Sequence, residues 1–584
     1  MHVREKMAAN SPATQQIWKS VWRPLLVALI IVLIATAAFI PVFLNGFPKG
    51  ADIKHHYRWS FFFLQAIKKG YLYPRWLAEI NRGYGSPVTL YYPPLSLYAS
   101  AVFGSITDTL TSISLACWLA LVFSGFAMYR FSRALLSTGQ SLLASILYML
   151  APYHTFDLYR GNSIAEYWSF AWVPFVFYSA HRIASTRDWR PVVYLAFSYA
   201  LLLLTDLPVS FAITLILPVF LIILTRKPRD WIRVGAGLAL GAGISAVFLF
   251  SALFERGYVD PSPLLTEGYE QTFMFERLRQ VLHTNLLSRA AYRGYAGYLL
   301  EAELVGFGLL LLLFVSAVLV WTAKWIEPGP RRKLLLSILA IGGVGMLMTT
   351  RLSSFIWKSV PEMQYLQVAN RWLIVASITA CLLAAAAIFN PSSSIRKRTL
   401  ALAVLSPVIL LNLVISAHIT TQRTTESETL AATLLQADGK EFFPPKWWDQ
   451  RWNDDFDNSP FVLNEGDCAL SLIEDKGLDK SYDVRANTES TVTLKPLYFP
   501  GWTAGLDGKS IDIEPGMGGH IQTSIPAGDH RLALSFEDTP IRTAGKAVSS
   551  VSLALCLILL WVATTRHPQS CEKFRSWLRV DKRR

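Results

Sequence analysis

Charge is scarce in this chain. Only 16% of its 584 residues are charged, against 52% hydrophobic, and the mean hydropathy is +0.34. A composition so apolar over such a length excludes a single soluble globule and points to a polytopic membrane protein. Cysteine is scarcer still. Of five, Cys117, Cys381 and Cys556 lie inside apolar runs, Cys571 follows the last run, and Cys468 stands alone in the large polar region, so neither a disulfide framework nor a thiolate metal site is implied. No zinc motif and no soluble nucleotide-binding βαβ unit is present, and no long repeat or low-complexity tract interrupts the chain. The apolar runs nearly lack ionisable residues, which weighs against a proton-coupled transporter, since such proteins need polar groups at mid-depth. Fifty-five Lys and Arg against 41 Asp and Glu give a net charge of +14, but these cations cluster between apolar runs. That is the pattern of topology signals, not of a nucleic-acid footprint.

Twelve runs have roughly spanning length: about 24–44, 113–129, 142–155, 168–183, 192–205, 209–224, 234–254, 304–321, 334–349, 373–389, 400–417 and 548–564. Arg23 and Pro24 lead directly into the first with no small-residue cleavage site, so it is expected to be a retained span. The basic segments at 182–190, 226–233, 324–333, 396–398 and 566–584 fall on one side if alternation holds, which makes that side cytoplasmic. The expected organisation is a cytoplasmic N-terminus 1–23, a transmembrane domain 24–417 with an outer loop 45–111, an extracytoplasmic β-domain 418–546, a last span 547–565 and a cytoplasmic tail 566–584. Within the outer loop, 53–68 reads as an amphipathic helix, and 93–104 is apolar but short; both are expected to lie along the membrane surface. In the polar region, Val492-Thr-Leu, Ser510-Ile-Asp-Ile, His520 to Ile525 and Arg531 to Phe536 alternate at period two between turns at Asp507-Gly508 and Pro526 to Asp529. These predict a small antiparallel β-sandwich.

The chemistry is expected in the outer loop, where Asp52, His55, His56, Arg58, Lys68, Lys69, Arg75, Glu79 and Arg82 crowd together. A carboxylate beside imidazoles and cations, next to a membrane helix, can deprotonate a hydroxyl while the cations hold a departing phosphate. The loop also carries D-x-x-x-H at Asp52 and His56, G-x-x-Y-P-R-W at Gly70 to Trp76, G-Y-G-x-P at Gly83 to Pro87 and Y-Y-P-P-L at Tyr91 to Leu95. With these motifs it resembles the first outer loop of bacterial membrane glycosyltransferases of the GT-C superfold, in the branch of 6-pyruvoyl-tetrahydropterin-synthase-related membrane proteins. Asp157-Leu-Tyr-Arg160-Gly-Asn-Ser-Ile-Ala-Glu166 resembles that family's R-G-x-x-x-E segment, and Arg371 falls where relatives carry an F-P-W-R-like segment, although this chain has Val368-Ala-Asn370 there. Tyr498-Phe-Pro-Gly-Trp502 and Asp507-Gly-Lys509 resemble the C-terminal β-sandwich of YfhO-type membrane proteins.

The resemblance implies a fold of about twelve spans with juxtamembrane helices and a polyprenyl-phosphate sugar as donor. The acceptor would be a cell-envelope glycan, lipid or protein on the outer face of the cytoplasmic membrane. Asp52 is the expected general base with His56 beside it. His55, Arg58, Arg160, Glu166, Arg351, Lys358 and Arg371 are the expected contacts to donor phosphate or substrate. Each residue also has a purely structural reading: Asp52 as the cap of the 53–68 helix, Arg160 and Glu166 as a pair closing a helix end, and Arg351, Lys358 and Arg371 as interfacial side chains with charged tips in water. No resident metal is expected, because a D-x-x-H-H string lacks the paired carboxylates hard cations prefer, the alternative being a divalent cation held by His55 and His56 with Asp52. A long connection 255–303, with Glu270, Glu276, Arg277, Arg279, His283, Arg289 and Arg293, has the length of a lid or binding element. Trp447-Trp-Asp-Gln-Arg-Trp452-Asn-Asp-Asp455 suits either sugar stacking or a headgroup-level aromatic belt. The alternatives to an enzyme are a lipid or glycan transporter and a membrane scaffold presenting its β-domain.

Overall fold

The computed structural model describes residues 22–265, 269–277, 294–322, 330–388, 395–421, 441–449, 451 and 459–565. The two termini, residues 279, 283, 289 and 293 of the long connection, and positions 452–455 of the tryptophan-rich cluster lie outside the described residues.

The protein is mostly helical, with a β-sandwich near its C-terminal end. Among the described residues seven helices are long and apolar enough to cross a membrane, or eight when one bent pair is counted as a span. They include α1 (Arg23–Asn45). The helices α2 (Ile53–Lys68) and α3 (Leu95–Gly104) follow, then α4 (Thr109–Ser132) and α5 (Thr138–Met149). Next come α6 (Ile164–Ser185), α7 (Arg190–Leu203), α8 (Leu207–Leu224), α9 (Pro228–Ile244) and α10 (Ala246–Phe254). The bundle ends with α11 (Gly294–Thr322), α12 (Pro330–Met348), α13 (Leu373–Ile388), α14 (Ile395–Thr421) and, after the sandwich, α15 (Pro540–Thr565).

The count differs from twelve for local physical reasons. The run at 142–155 divides into α5 and a short turn Pro152–Phe156, because Pro152 cannot continue the hydrogen-bond ladder. The run at 234–254 bends by 81° between α9 and α10, and α7 has 14 residues, fewer than a straight crossing needs. Helix α6 is long enough, but its Trp, Tyr and Ser residues lower its hydropathy; it is buried along most of its length against α4 and α7, where lipid does not dictate composition. Helix α3 has 10 residues, about 15 Å at 1.5 Å per residue, and falls well short of a bilayer core.

The sandwich is built from β1 (Phe461–Glu465), β2 (Cys468–Asp475), β3 (Asp479–Ala486), β4 (Ser490–Leu497), β5 (Trp502–Leu506), β6 (Lys509–Ile511), β7 (Glu514–Pro515), β8 (His520–Ile525) and β9 (Gly528–Phe536). A four-stranded sheet in the order β1-β4-β8-β7 faces a five-stranded sheet in the order β2-β3-β9-β5-β6, with antiparallel pairing throughout. Asp507 and Gly508, both at positive φ, make the two-residue β5–β6 hairpin, a turn whose twist matches that of its strands.

The sandwich does not hang free. Its core is continuous with Trp76, Tyr84, Leu90 and Tyr91 of the segment between α1 and α4. Trp76, 1% exposed, lies against Phe499, Trp502 and Phe536 at ring separations of 5.6, 6.0 and 5.6 Å. Two ion pairs lock the joint: Arg75 to Asp538 at 2.8 Å, and Arg542 at the start of α15 to Glu255 at 2.9 Å, the latter fully enclosed. The loop and the sandwich therefore occupy one side of the helical bundle.

Candidate functional site

Asp52 occupies the N-cap position of α2, as the structural reading has it, and its carbonyl accepts from His55 and His56 N–H at 3.0 and 3.2 Å, but its side chain makes no capping bond to the helix. Its backbone is fixed from elsewhere. The N–H groups of Ala51 and Asp52 donate to the carbonyls of Arg160 and Gly161 at 3.0 Å each, and Gly50 N–H donates to the Asn162 side chain. Gly50 has to be glycine, because a Cβ there would overlap the Asn162 amide and stand 2.7 Å from the Arg160 carbonyl. The partner segment, Asp157–Gly161, is a single π-helical turn closed by Asn162 in the left-handed conformation. Such turns are frequent where a helix is opened to present side chains. The two motif-bearing segments, more than a hundred residues apart, are thus stitched together by backbone.

Arg160 and Glu166 do not pair with each other, contrary to the simplest structural expectation, because the π-turn sends them to different helices. Arg160 meets Glu301 of α11 at 2.7 Å and lies over the Tyr298 ring. Glu166 meets Arg371 at 3.0 Å and accepts from the Tyr153 hydroxyl. Nη1 of Arg371 donates to the Leu366 carbonyl at 2.5 Å and to Gln367 Oε1 at 3.1 Å. These contacts engage Nε and Nη1, and the side chain keeps 11% exposure.

Asp206 completes the ring of charge. It caps α8 by accepting from Val209 N–H at 2.7 Å, while Pro208 in the first turn supplies a residue that needs no partner for its missing N–H. Asp206 also faces Arg371 and Glu166: burial pushes it up to about 6, with Arg371 pulling it down and Glu166 adding to the rise. Burial and the neighbouring Glu166 likewise raise Asp157, whose Oδ2 is enclosed with no hydrogen-bond partner. Burial first, then the charges of Asp206 and Asp52, raise the Tyr92 phenol, with Arg371 opposing them. Its neighbour Tyr91 points the other way, donating to the Glu255 carbonyl at 2.7 Å beneath the sandwich.

His55 and His56 are buried one turn along α2. Burial, then the charges of Lys54 and Arg58, lower His55 to about 4; burial, then His55, lowers His56 to about 3. Both are neutral near pH 7, so as phosphate-holding cations they are unsuited, and they offer hydrogen bonds instead. Arg58 is half-buried on the same helix. Arg351 and Lys358 stand apart: they are 71% and 64% exposed and pair with Glu276 and Glu270 of the long connection at 3.4 and 3.3 Å. They sit beyond the end of α12 because the Thr350–Arg371 segment returns to the site only at Arg371. Among the described residues no three His, Cys, Asp or Glu side chains converge closely enough to hold a metal ion.

Asp206, Glu301, Tyr153 and Tyr298 carry no motif that marks them in the sequence. Asp206 looks like an ordinary helix cap before a proline, and Glu301 like the polar edge of an apolar run; only long-range packing turns them toward Arg371 and Arg160.

The chain is 27% identical over 243 residues to an uncharacterised protein of Lactococcus lactis subsp. cremoris strain MG1363, a match covering 38% of this chain and 39% of that protein. The apo oligosaccharyltransferase of Archaeoglobus fulgidus is similar in structure at 13% identity and a TM-score of 0.44, covering 73% of this chain and 59% of that one. The mycobacterial arabinofuranosyltransferase AftD is similar at 16% identity and a TM-score of 0.38, covering 73% and 28%. The chain thus spans less than two thirds of the length of each of these proteins. The profile of the 6-pyruvoyl-tetrahydropterin synthase related domain, described as a membrane protein, matches residues 89–420, more than half of the chain, and the chain belongs to that family of membrane proteins.

Proposed function

We propose that the protein is a GT-C-type membrane glycosyltransferase that moves a sugar from a polyprenyl-phosphate donor to a cell-envelope acceptor on the outer face of the cytoplasmic membrane. The observation that carries this reading is the backbone tie of Asp52 to the Asp157–Gly161 turn, which leads into Glu166 and its buried ion pair with Arg371. Asp52 accepts the proton of the acceptor hydroxyl as its oxygen attacks the anomeric carbon. The bond from that carbon to the phosphate oxygen breaks, and the lipid phosphate leaves as an anion. A single displacement of this kind inverts the anomeric centre. Arg371, the cation of the Glu166 pair with 11% of its side chain exposed, meets the phosphate in preference to Arg351 and Lys358, which are committed to exposed pairs elsewhere. Arg160, held by Glu301, shapes the turn that fixes Asp52.

The test is transfer by the purified, reconstituted protein from radiolabelled polyprenyl-phosphate sugars to cell-envelope acceptors. Label should appear in an acceptor with inverted anomeric configuration. Folded protein that transfers nothing across a broad panel of donors and acceptors would sink the reading.

A further inference from the structure

Five aromatic rings line the start of α2 beside Asp52. Asp52, His56 and Trp59 are spaced four and three residues apart, so they share one stripe of the helix. The Tyr92 ring lies 4.7 Å from Trp59 and 5.7 Å from His56. On the other flank Phe442, from the segment that enters the β-sandwich, meets His55 at 4.5 Å and Trp59 at 6.0 Å. Trp59 is buried, whereas Tyr92 and Phe442 each keep part of their surface open.

Polar atoms sit among these faces. The two imidazoles are neutral near pH 7, and Asp52 stands at the end of the stripe. An apolar aromatic surface with a few convergent hydrogen-bonding groups suits a ligand that has C–H faces and hydroxyl edges. The guanidinium of Arg371 lies apart from these rings, with Glu166 and Gln367, while the cations of α2 that act on His55 are Lys54 and Arg58.

We propose that Tyr92, Trp59 and Phe442, with His55 and His56 between them, form the subsite for a sugar ring of the acceptor glycan, presenting its hydroxyl to Asp52. This rests on the glycosyltransferase reading and assigns one part of the site to sugar and another to phosphate. The polar segment before the sandwich then contributes directly to substrate binding through Phe442.

Saturation-transfer NMR on the full-length protein in detergent tests it, with irradiation of aromatic protons and the methyl glycosides of glucose, galactose, mannose and arabinose as probes. Ring C–H protons of at least one glycoside should receive saturation from wild type and from Asp52→Asn. Losing one aromatic face should weaken binding roughly two- to tenfold, so Phe442→Leu, which keeps the bulk, should reduce the signal accordingly while Phe442→Tyr keeps it. Thermal unfolding of each variant confirms the fold. Saturation of no glycoside, or a signal unchanged in folded Phe442→Leu, overturns the proposal. Binding without turnover would leave the subsite standing and count against the glycosyltransferase reading; turnover with no saturation of any glycoside would do the reverse.

Discussion

Arg371 and Glu166, 205 residues apart in sequence, meet at 3.0 Å with side chains only 11% and 3% exposed. Removing one member of a buried pair leaves the other charge uncompensated and costs roughly 3–5 kcal/mol. Arg371→Ala is therefore expected to lower the unfolding temperature in detergent sharply and to abolish binding of polyprenyl phosphate. Arg371→Met combined with Glu166→Gln should recover most of the stability and none of the binding. If the double variant binds polyprenyl phosphate as wild type does, Arg371 is not the phosphate ligand.

Asp52→Asn keeps the shape of the side chain and removes its capacity to take a proton. General-base catalysis contributes about a hundred- to ten-thousand-fold, so turnover should fall by roughly that factor with the unfolding temperature little changed. Single-turnover rates with saturating donor measure this directly. Near-normal turnover would move the base to another carboxylate of the ring, Glu166 or Asp206.

Gly85 sits at a φ of +87°, and a Cβ there would overlap the indole of Trp76. Gly85→Ala must both strain the backbone and push Trp76 out of the sandwich core. Backbone strain of this kind costs about 1–3 kcal/mol and overpacking a similar amount. Faster proteolysis of the sandwich in otherwise intact protein is the expected result. Gly139→Ala, on an open helix position with no atom within 4 Å, should have no such effect.

The neutral imidazoles of α2 make stability depend on pH. In the unfolded chain His55 and His56 titrate near the ordinary 6.5, while in the fold they are held at about 4 and about 3. As pH falls below 6.5 the unfolded chain takes up protons that the folded chain refuses. Stability is therefore lost progressively from there toward the folded values. Unfolding temperatures measured from about pH 7 to about pH 5 should decline, and the decline should be shallower in His55→Gln/His56→Gln. Equal slopes in the two proteins would show that other groups carry the dependence.

Orientation is open to direct measurement. Ser510, exposed on β6, is a suitable single-cysteine position, whereas Ser86 is fully buried beneath the sandwich and would not report. A membrane-impermeant thiol reagent should label Ser510→Cys in intact spheroplasts of a strain expressing an otherwise cysteine-free protein. Labelling only after lysis would put the sandwich, and the site beside it, in the cytoplasm.

What the sequence determined by itself was local. Hydropathy runs located most of the helices, period-two alternation found β8 and part of β4, β6 and β9, and the polar crowding after the first span marked α2 with Asp52 at its start. These are properties of adjacent residues, so they survive being read one window at a time. The tertiary structure decided the partnerships. Residues 50–52 are held by 160–162, Arg160 by Glu301, and Glu166 by Arg371, each pairing closing a loop of more than a hundred residues. A charged side chain carries no mark of which distant opposite charge will desolvate it, so Asp206 and Glu301 looked like a cap and a helix edge. For the same reason the loop motifs read as one catalytic block when they serve two ends: Asp52, His56 and Tyr92 belong to the proposed site, while Arg75, Trp76, Tyr84 and Tyr91 anchor the β-sandwich. Burial, which only the folded chain creates, separated the two roles.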